Sequence, residues 1–240
     1  MQLYGKSDIG LVRSSNQDSY SMGSLPGGVW IVVCDGMGGA NGGNVASQIA
    51  VEQITRQIES SYWENISSEG IKNIIITAIY NANKAIYQRS MEDPALRGMG
   101  TTVVAAVARE GTAFVAHAGD SRAYLAGSGG IRQLTTDHSM VQELVRSGDI
   151  TQQEARVHPQ KNIITRVLGV EPVVEIDYQE CPFRQGDALL LCTDGLTNYV
   201  EDEDIWKASQ RPLEECCTEL IFMAKASGGG DNITIAAVKY

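Results

Sequence analysis

The chain has no C-x-x-C pair, no G-x-S-x-G element and no Walker A loop. Each absence removes a class of function. The five cysteines, Cys34, Cys181, Cys192, Cys216 and Cys217, are odd in number and unevenly spaced. That excludes a disulfide scaffold and fits a reducing compartment. Cys34 and Cys192 lie inside apolar runs, where a free thiol packs as a small hydrophobe; Cys216 and Cys217 also read as core. Histidine is scarce, with three residues, and no Cys/His pair has zinc-like spacing. No apolar run approaches the roughly 20 residues that cross a bilayer, so no membrane association is expected. The first six residues lack the apolar core of a signal peptide, and the expected location is cytoplasmic.

What is present bounds the answer further. The 240 residues are 43% hydrophobic and 20% charged, which excludes a disordered tail and suits one domain, residues 1–240, with a sizeable core. A monomer is expected. The formal net charge of −10 disfavours nucleic acid as a partner, and none is expected, because phosphate backbones are bound by Lys and Arg. Acidity serves solubility in many proteins, and composition alone favours that reading. It also suits carboxylates that hold cations.

Hydrophobic periodicity divides the chain into blocks. Short strands come first, ending in the apolar run 29–34. Two helical patterns follow. In one, Val45, Ile49, Ile54 and Ile58 share a face, with Asn44 as its expected N-cap. In the other, Ile71, Ile75, Ala78, Ile79, Ala82 and Ile86 form a stripe opened by Ser67 or Ser68. Strand-like runs then cover 101–108, 112–118 and 122–126. From 138 to 169 the chain turns polar. Val141, Leu144 and Val145 mark a short helix closed by Gly148, and residues 151–154 have the form of a capping box. Strands resume at 173–178 and 188–192. A last helix starts near Pro212 and stops at Gly228, before a final strand over 232–239. Blocks of strands and paired helices predict α+β layers rather than βαβ alternation.

Two strands end alike: the run 29–34 leads into Asp35-Gly36, and 188–193 leads into Asp194-Gly195. Asp231 opens the last strand behind three glycines, and Gly119-Asp120 fills a turn between strands. Each corner sets a carboxylate at a sheet rim beside a glycine, which lets a carbonyl or ligand approach closely. Mg²⁺ and Mn²⁺ take oxygen ligands of this kind. One Asp-Gly is ordinary turn chemistry. Four such corners leave a shared cation site and four unrelated turns both open. The glycine-rich stretch 36–43 precedes a helix and suits an anion at its N-terminus, but lacks the Lys-Ser/Thr ending of a nucleotide loop.

The ordered set of motifs resembles one family. Arg13-x-x-Asn16-Gln17-Asp18, Val33-Cys34-Asp35-Gly36-Met37-Gly38-Gly39, Gly100-Thr101-Thr102, Gly119-Asp120-Ser121-Arg122, Thr193-Asp194-Gly195-Leu196 and Asp231-Asn232-Ile233-Thr234 are similar to the PP2C (PPM) family of metal-dependent protein phosphatases. The chain is most similar to bacterial members that oppose Hanks-type Ser/Thr kinases, from about Tyr4 to Tyr240. The resemblance implies a four-layer αββα sandwich, a central β-sandwich flanked by helix pairs, with the polar segment 138–169 as a flap beside the cleft. It implies two Mn²⁺ or Mg²⁺ ions and phosphorylated proteins as partners. By position, Asp35 would bridge both ions and the Gly36 carbonyl would bind one. Asp194 and Asp231 would complete the other. Asp18 would act through hydrogen bonds to metal-bound water, and Arg13 would hold the substrate phosphate. Asp120, with Asp194, would hold a third, weaker ion. The implied reaction is in-line attack by a water activated between two cations, without a phosphoenzyme.

The chain departs from the family at several points. Met37 stands where many eukaryotic members carry a general-acid histidine, Ala40 where bacterial members often carry one, Asn44 where a Glu is frequent, and Gln17 where eukaryotes have Glu. Neither usual histidine is available, and metal-bound water is the preferred proton donor to the leaving oxygen. His117 is expected to be buried structure, His138 to make local hydrogen bonds at the start of the flap, and His158 to have no direct catalytic role. Arg166 is expected to anchor the flap. The alternatives are a catalytically weak or inactive regulatory module on the same fold, and a phosphoesterase for small molecules.

Overall fold

A computed structural model describes residues 1–240, the side chains of 39–41 excepted. In chain order the elements are β1 (Gln2–Asp8), β2 (Asp18–Leu25), β3 (Gly28–Met37), α1 (Gly39–Ser61), α2 (Ser68–Glu92), β4 (Gly100–Thr101), β5 (Val103–Arg109), β6 (Thr112–Ala118), β7 (Arg122–Gly127) and β8 (Gly130–Gln133). There follow α3 (Met140–Ser147), α4 (Gln152–Val157), β9 (Asp177–Pro182), β10 (Ala188–Cys192), α5 (Asp194–Thr197), α6 (Asp202–Ser209), α7 (Leu213–Ala226) and β11 (Ile233–Lys239).

The strands form two antiparallel sheets. One has the order β1-β11-β10-β7-β8, the other β2-β3-β5-β6-β9, with β4 paired to the end of β3. The period-two alternation of a strand decides the layering. On β3, Val29, Ile31 and Val33 face Leu189, Leu191, Ala236 and Val238 of the opposite sheet. The intervening Trp30, Val32 and Cys34 pack against Ile54 and Ile58 of α1 and Ile75 and Ile79 of α2. On the far side, Leu190, Cys192, Ile235 and Ala237 pack under α6 and α7. Both sheets are therefore covered on both faces, which is why β3, β5 and β10 are unbroken apolar runs. The result is the α+β, four-layer αββα arrangement expected from sequence.

Several boundaries differ from expectation. Asn44 is not the N-cap of α1; the helix starts at Gly39 and its cap is Gly38, at φ 121°. The helix runs through glycines of poor propensity because the backbone there is packed too closely for side chains: a Cβ on Gly36 would lie 2.0 Å from the Gly43 carbonyl oxygen. The run 101–108 is two strands, since Thr102 leaves the ladder and accepts a hydrogen bond from the Asp35 amide at 3.0 Å. The expected strand at 173–178 is displaced to β9, whose register is set by β6, from His117 opposite Asp177 to Thr112 opposite Pro182. Pro212 caps α7 rather than opening it, and the last strand begins at Ile233. Elements β8, α5 and α6 were not foreseen; each is short and gains its stability from packing rather than from local signals.

Of the two expected openers of α2, Ser67 is the cap, through Gly70. In the flap Gly148 closes α3 in the left-handed conformation as expected, and Ser139, which was not foreseen, is its N-cap. Thr151 and Glu154 form the capping box of α4. The neck of the flap is a short bridge: Met140 N–H donates to Ile163 O at 2.9 Å and Thr165 N–H to His138 O at 2.8 Å. Arg156 on α4 pairs with Glu201 at the start of α6, tying the flap to the sandwich.

Leu189 is fully buried between the sheets. Leu189→Ala should cost about 2–5 kcal/mol through lost burial and the cavity left behind. Urea denaturation should show a lower midpoint with an unchanged slope.

Candidate metal centre

The two strand ends and two turns meet at one edge of the sandwich. Asp35 lies near the end of β3, and its backbone is held on both sides. Its amide donates to Thr102 Oγ1, and its carbonyl accepts from the Thr102 amide at 2.9 Å and from Thr101 Oγ1 at 2.9 Å. The Gly-Thr-Thr motif thus fixes the residue and leaves its carboxylate to the cleft. Asp194 opens α5 just beyond β10; its Oδ2 accepts from Asn198 Nδ2 at 2.9 Å. A Cβ on Gly195 would lie 1.9 Å from the Asn232 carbonyl oxygen, so only glycine allows α5 to sit against the turn before β11. Asp231 in that turn accepts from the Asn232 amide and pairs with Arg13 Nη2 at 2.8 Å.

Asp18 faces Asp35 directly across the β2–β3 ladder. Its Oδ2 accepts from Thr234 Oγ1 at 2.7 Å and Thr193 Oγ1 at 2.9 Å. Arg13, Asp35, Gly36, Asp194 and Asp231 line a cleft of about 470 Å³, which also takes in Asn162 and Ile164 from the flap. Asp120 lines a neighbouring cavity of about 420 Å³, and Asp194 borders both. All seven residues singled out from the sequence are thereby assembled.

The electrostatics are those of carboxylates held out of water. Burial pushes Asp35 well above the usual carboxylate range, and the charges of Asp18 and Asp194 push it further. Asp120 rises likewise, through burial and then Asp194 and Asp137. Asp194 is raised by burial and by Asp231, against hydrogen bonds from Asp35 and Asn198. Burial raises Asp18 to about 7, with Asp194 and Asp231 adding to it and the two threonine hydroxyls opposing. Asp120 Oδ1 and Asp194 Oδ1 are buried with no hydrogen-bond partner among the described residues. Such atoms are costly in isolation. An all-oxygen set with orphaned carboxylate atoms fits a hard divalent cation.

A second group, His117, His138 and Asp177, also brings ligand-type atoms together. Its geometry does not converge on an ion. The imidazole rings stack with centroids 4.6 Å apart and planes within 9°, so their in-plane lone pairs lie in parallel planes. Arg166 Nη1 already sits 2.9 Å from Asp177 Oδ1. His117 is buried and His138 makes local hydrogen bonds, as expected, and Arg166 anchors the flap through Asp177 and Glu175. Among the described residues no histidine lines the cleft. Met37 does, while the side chain of Ala40 lies outside the described residues.

Sequence reasoning assigned no role to Asn232, which organises the Arg13 loop. Its Oδ1 accepts from the Gln17 amide, and its Nδ2 donates to the Ile9 and Ser15 carbonyls. Its place inside the Asp231-Asn232-Ile233-Thr234 motif was the available signal. Asn162 and Ile164 carried no local signal, because only the fold of the flap brings them to the cleft.

The edge of the sandwich thus gathers carboxylates whose chemistry fits hard divalent cations, with a guanidinium at its mouth. The chain belongs to the protein phosphatase 2C family, whose profile matches residues 11–226. It is 41% identical to the serine/threonine phosphatase stp of Listeria monocytogenes, over 98% of this chain and 94% of that one. The crystal structure of the serine/threonine phosphatase Stp1 from Staphylococcus aureus superposes with a TM-score of 0.93 at 34% identity, covering 100% of this chain and 94% of that one. The catalytic domain of the serine threonine protein phosphatase PstP, solved with two manganese ions, gives 0.86 at 34% identity, over 98% and 96%. No helix among the described residues is long and apolar enough to cross a membrane.

The raised carboxyl groups predict a pH dependence. Each of Asp18, Asp35, Asp120 and Asp194 binds its proton more tightly folded than unfolded, so ionising it costs stability above the unfolded carboxylate pKa of about 4. The loss from Asp18 is complete only as pH passes about 7, its folded value. Chelator-treated protein should melt at lower temperature at about pH 8 than at about pH 6.5. Asp35→Asn should flatten that slope, and a melting temperature that rises over the same interval would contradict the assignment.

Proposed function

We propose that this chain hydrolyses phosphoserine and phosphothreonine in proteins, as one catalytic domain spanning residues 1–240 with residues 138–169 as its flap. The observation that carries this reading is the convergence of Asp35, Asp194 and Asp231 on one cleft with Arg13 at its mouth. Family membership, the serine/threonine phosphatase stp at 41% identity and the protein phosphatase PhpP at 36% support it. Retention of the whole carboxylate set disfavours an inactive module.

Two Mn²⁺ or Mg²⁺ ions fit the centre. Asp35 would bridge them, the Gly36 carbonyl would add to one, and Asp194 and Asp231 would complete the other; Asp120 and Asp194 would share a third. When bound, such a cation pair supplies a water of lowered pKa and positive charge against the phosphoryl group. The chain's own residues do the rest. Thr193 and Thr234 hold the Asp18 carboxylate opposite Asp35, where it would accept hydrogen bonds from water at the centre. Arg13 offers two N–H donors to phosphoryl oxygens, a geometry that suits phosphate and its spread of transition-state charge. Water attacks phosphorus in line, the ester oxygen leaves, and no phosphoenzyme forms. With no imidazole in the cleft, the leaving oxygen takes its proton from water. The proposal includes a monomer that reverses Hanks-type kinase phosphorylation, and the five buried free cysteines accord with a cytoplasmic setting for it.

Turnover of p-nitrophenyl phosphate and of a phosphothreonine peptide should require Mn²⁺ or Mg²⁺ and stop with chelator. Asp35→Asn and Asp194→Asn should lower kcat by about 100-fold or more. Arg13→Ala should raise KM for the phosphopeptide about ten-fold. Faster hydrolysis of nucleotides or sugar phosphates than of the phosphopeptide would overturn the substrate class.

A further inference from the structure

The turn that carries Asp120 is clasped from both sides by one dipeptide, Asp137-His138. On one side, the Asp137 carboxylate takes the guanidinium of Arg122 through three contacts, at 2.9, 3.1 and 2.7 Å. On the other, His138 holds Gly119 twice: the Gly119 amide donates to His138 Nδ1 at 3.1 Å, and the His138 amide donates to the Gly119 carbonyl at 3.0 Å. Only glycine fits at this point of the turn. It sits at φ 118°, in the left-handed region, and a Cβ there would lie 2.7 Å from the Thr102 side chain. Thr102 in turn holds Asp35 and bonds Ser121 Oγ at 2.7 Å.

His138 is also the first residue of the flap neck. Its carbonyl accepts from Thr165, and its Nε2 meets Asp177 Oδ2 at 3.2 Å. Asp177 bonds Arg166 of the returning flap segment, and His117 stacks on the ring. A backbone amide can only donate, so Nδ1 is the bare acceptor and Nε2 carries the proton toward Asp177. Burial, with His117 adding, lowers the imidazole pKa, which favours the neutral ring.

From this geometry we infer that His138 is a positioning residue for Asp120, and that through it the seating of the flap sets how firmly the weakest cation is held. This rests on the reading that Asp120 and Asp194 share that cation. The two ring nitrogens do separable work. Nδ1 holds the Asp120 turn, and Nε2 holds the flap anchor.

Substitution separates them. Asparagine places Oδ1 close to where Nδ1 stands and keeps the acceptor for Gly119. Glutamine reaches the Nε2 position and keeps the contact to Asp177 but offers Gly119 nothing. Mn²⁺ binding can be followed by the electron paramagnetic resonance of the free ion, and the Gly119 amide by hydrogen exchange. His138→Gln should weaken the weakest Mn²⁺ binding event about ten-fold and speed exchange at Gly119. His138→Asn should leave both near the parent protein. If the two variants lose thermal stability alike while Mn²⁺ binding is unchanged, His138 is only structural and the inference fails. Asp120→Ala is the reference. If it leaves the weakest Mn²⁺ event intact, the Asp120 cation reading fails and this inference with it. If it abolishes that event while His138→Gln does not touch it, the positioning role alone is wrong. His138→Ala is not needed for the decision, so a failure of that variant to fold costs nothing.

Discussion

Buried carboxylates that repel one another are the constraint on which this protein is built. Asp18 and Asp35 stand on one sheet, Asp194 and Asp231 lie just beyond strands β10 and β11 of the other, and Asp120 lies in the turn that passes between the two sheets. Two packed sheets lie about 10 Å apart, so the layer of Val29, Ile31, Val33, Leu189, Leu191, Ala236 and Val238 fixes the separation of the acid groups. Left to themselves these side chains would turn to solvent. They stay because their backbones have no alternative.

That lack of alternative is written in small polar residues. Thr101 and Thr102 hold the Asp35 backbone, Thr193 and Thr234 hold the Asp18 carboxylate, and Asn232 holds the loop that presents Arg13. All five are buried. A buried hydroxyl or amide must be bonded to be tolerated, and here each bond is spent on orienting a site group. Glycines 36 and 195 complete the arrangement by allowing backbone to approach backbone where a methyl group would collide.

The flap is joined to this frame at few points. Its neck is the bridge between residues 139 and 164, its tip is held by Arg156 and Glu201, and its base is held by the His138, Asp177 and Arg166 group. Asn162 and Ile164 enter the cleft from it. The ion pairs at Arg156 and Arg166 reach exposed carboxylates and are individually weak. The firmest link between flap and centre is therefore the buried His138, not the surface charges.

The sequence by itself determined the layers, the strand ends and the acid residues. Apolar runs closed by Asp-Gly announced Asp35 and Asp194, and the ordered motifs announced Arg13, Asp18, Asp120 and Asp231. Caps at Ser67, Gly148 and Thr151 were equally legible, because a cap is a contact within four residues. The start of α1 was not, since helix over glycine is favoured only by packing of Gly43 on Gly36. Nor was the break at Thr102, whose partner Asp35 is 67 residues away. Only the tertiary structure decided which residues line the cleft, that Asn232 carries the Arg13 loop, and that Asp137-His138 grips the Asp120 turn. These are contacts between distant parts of the chain, and no local pattern records them until the sheets pack.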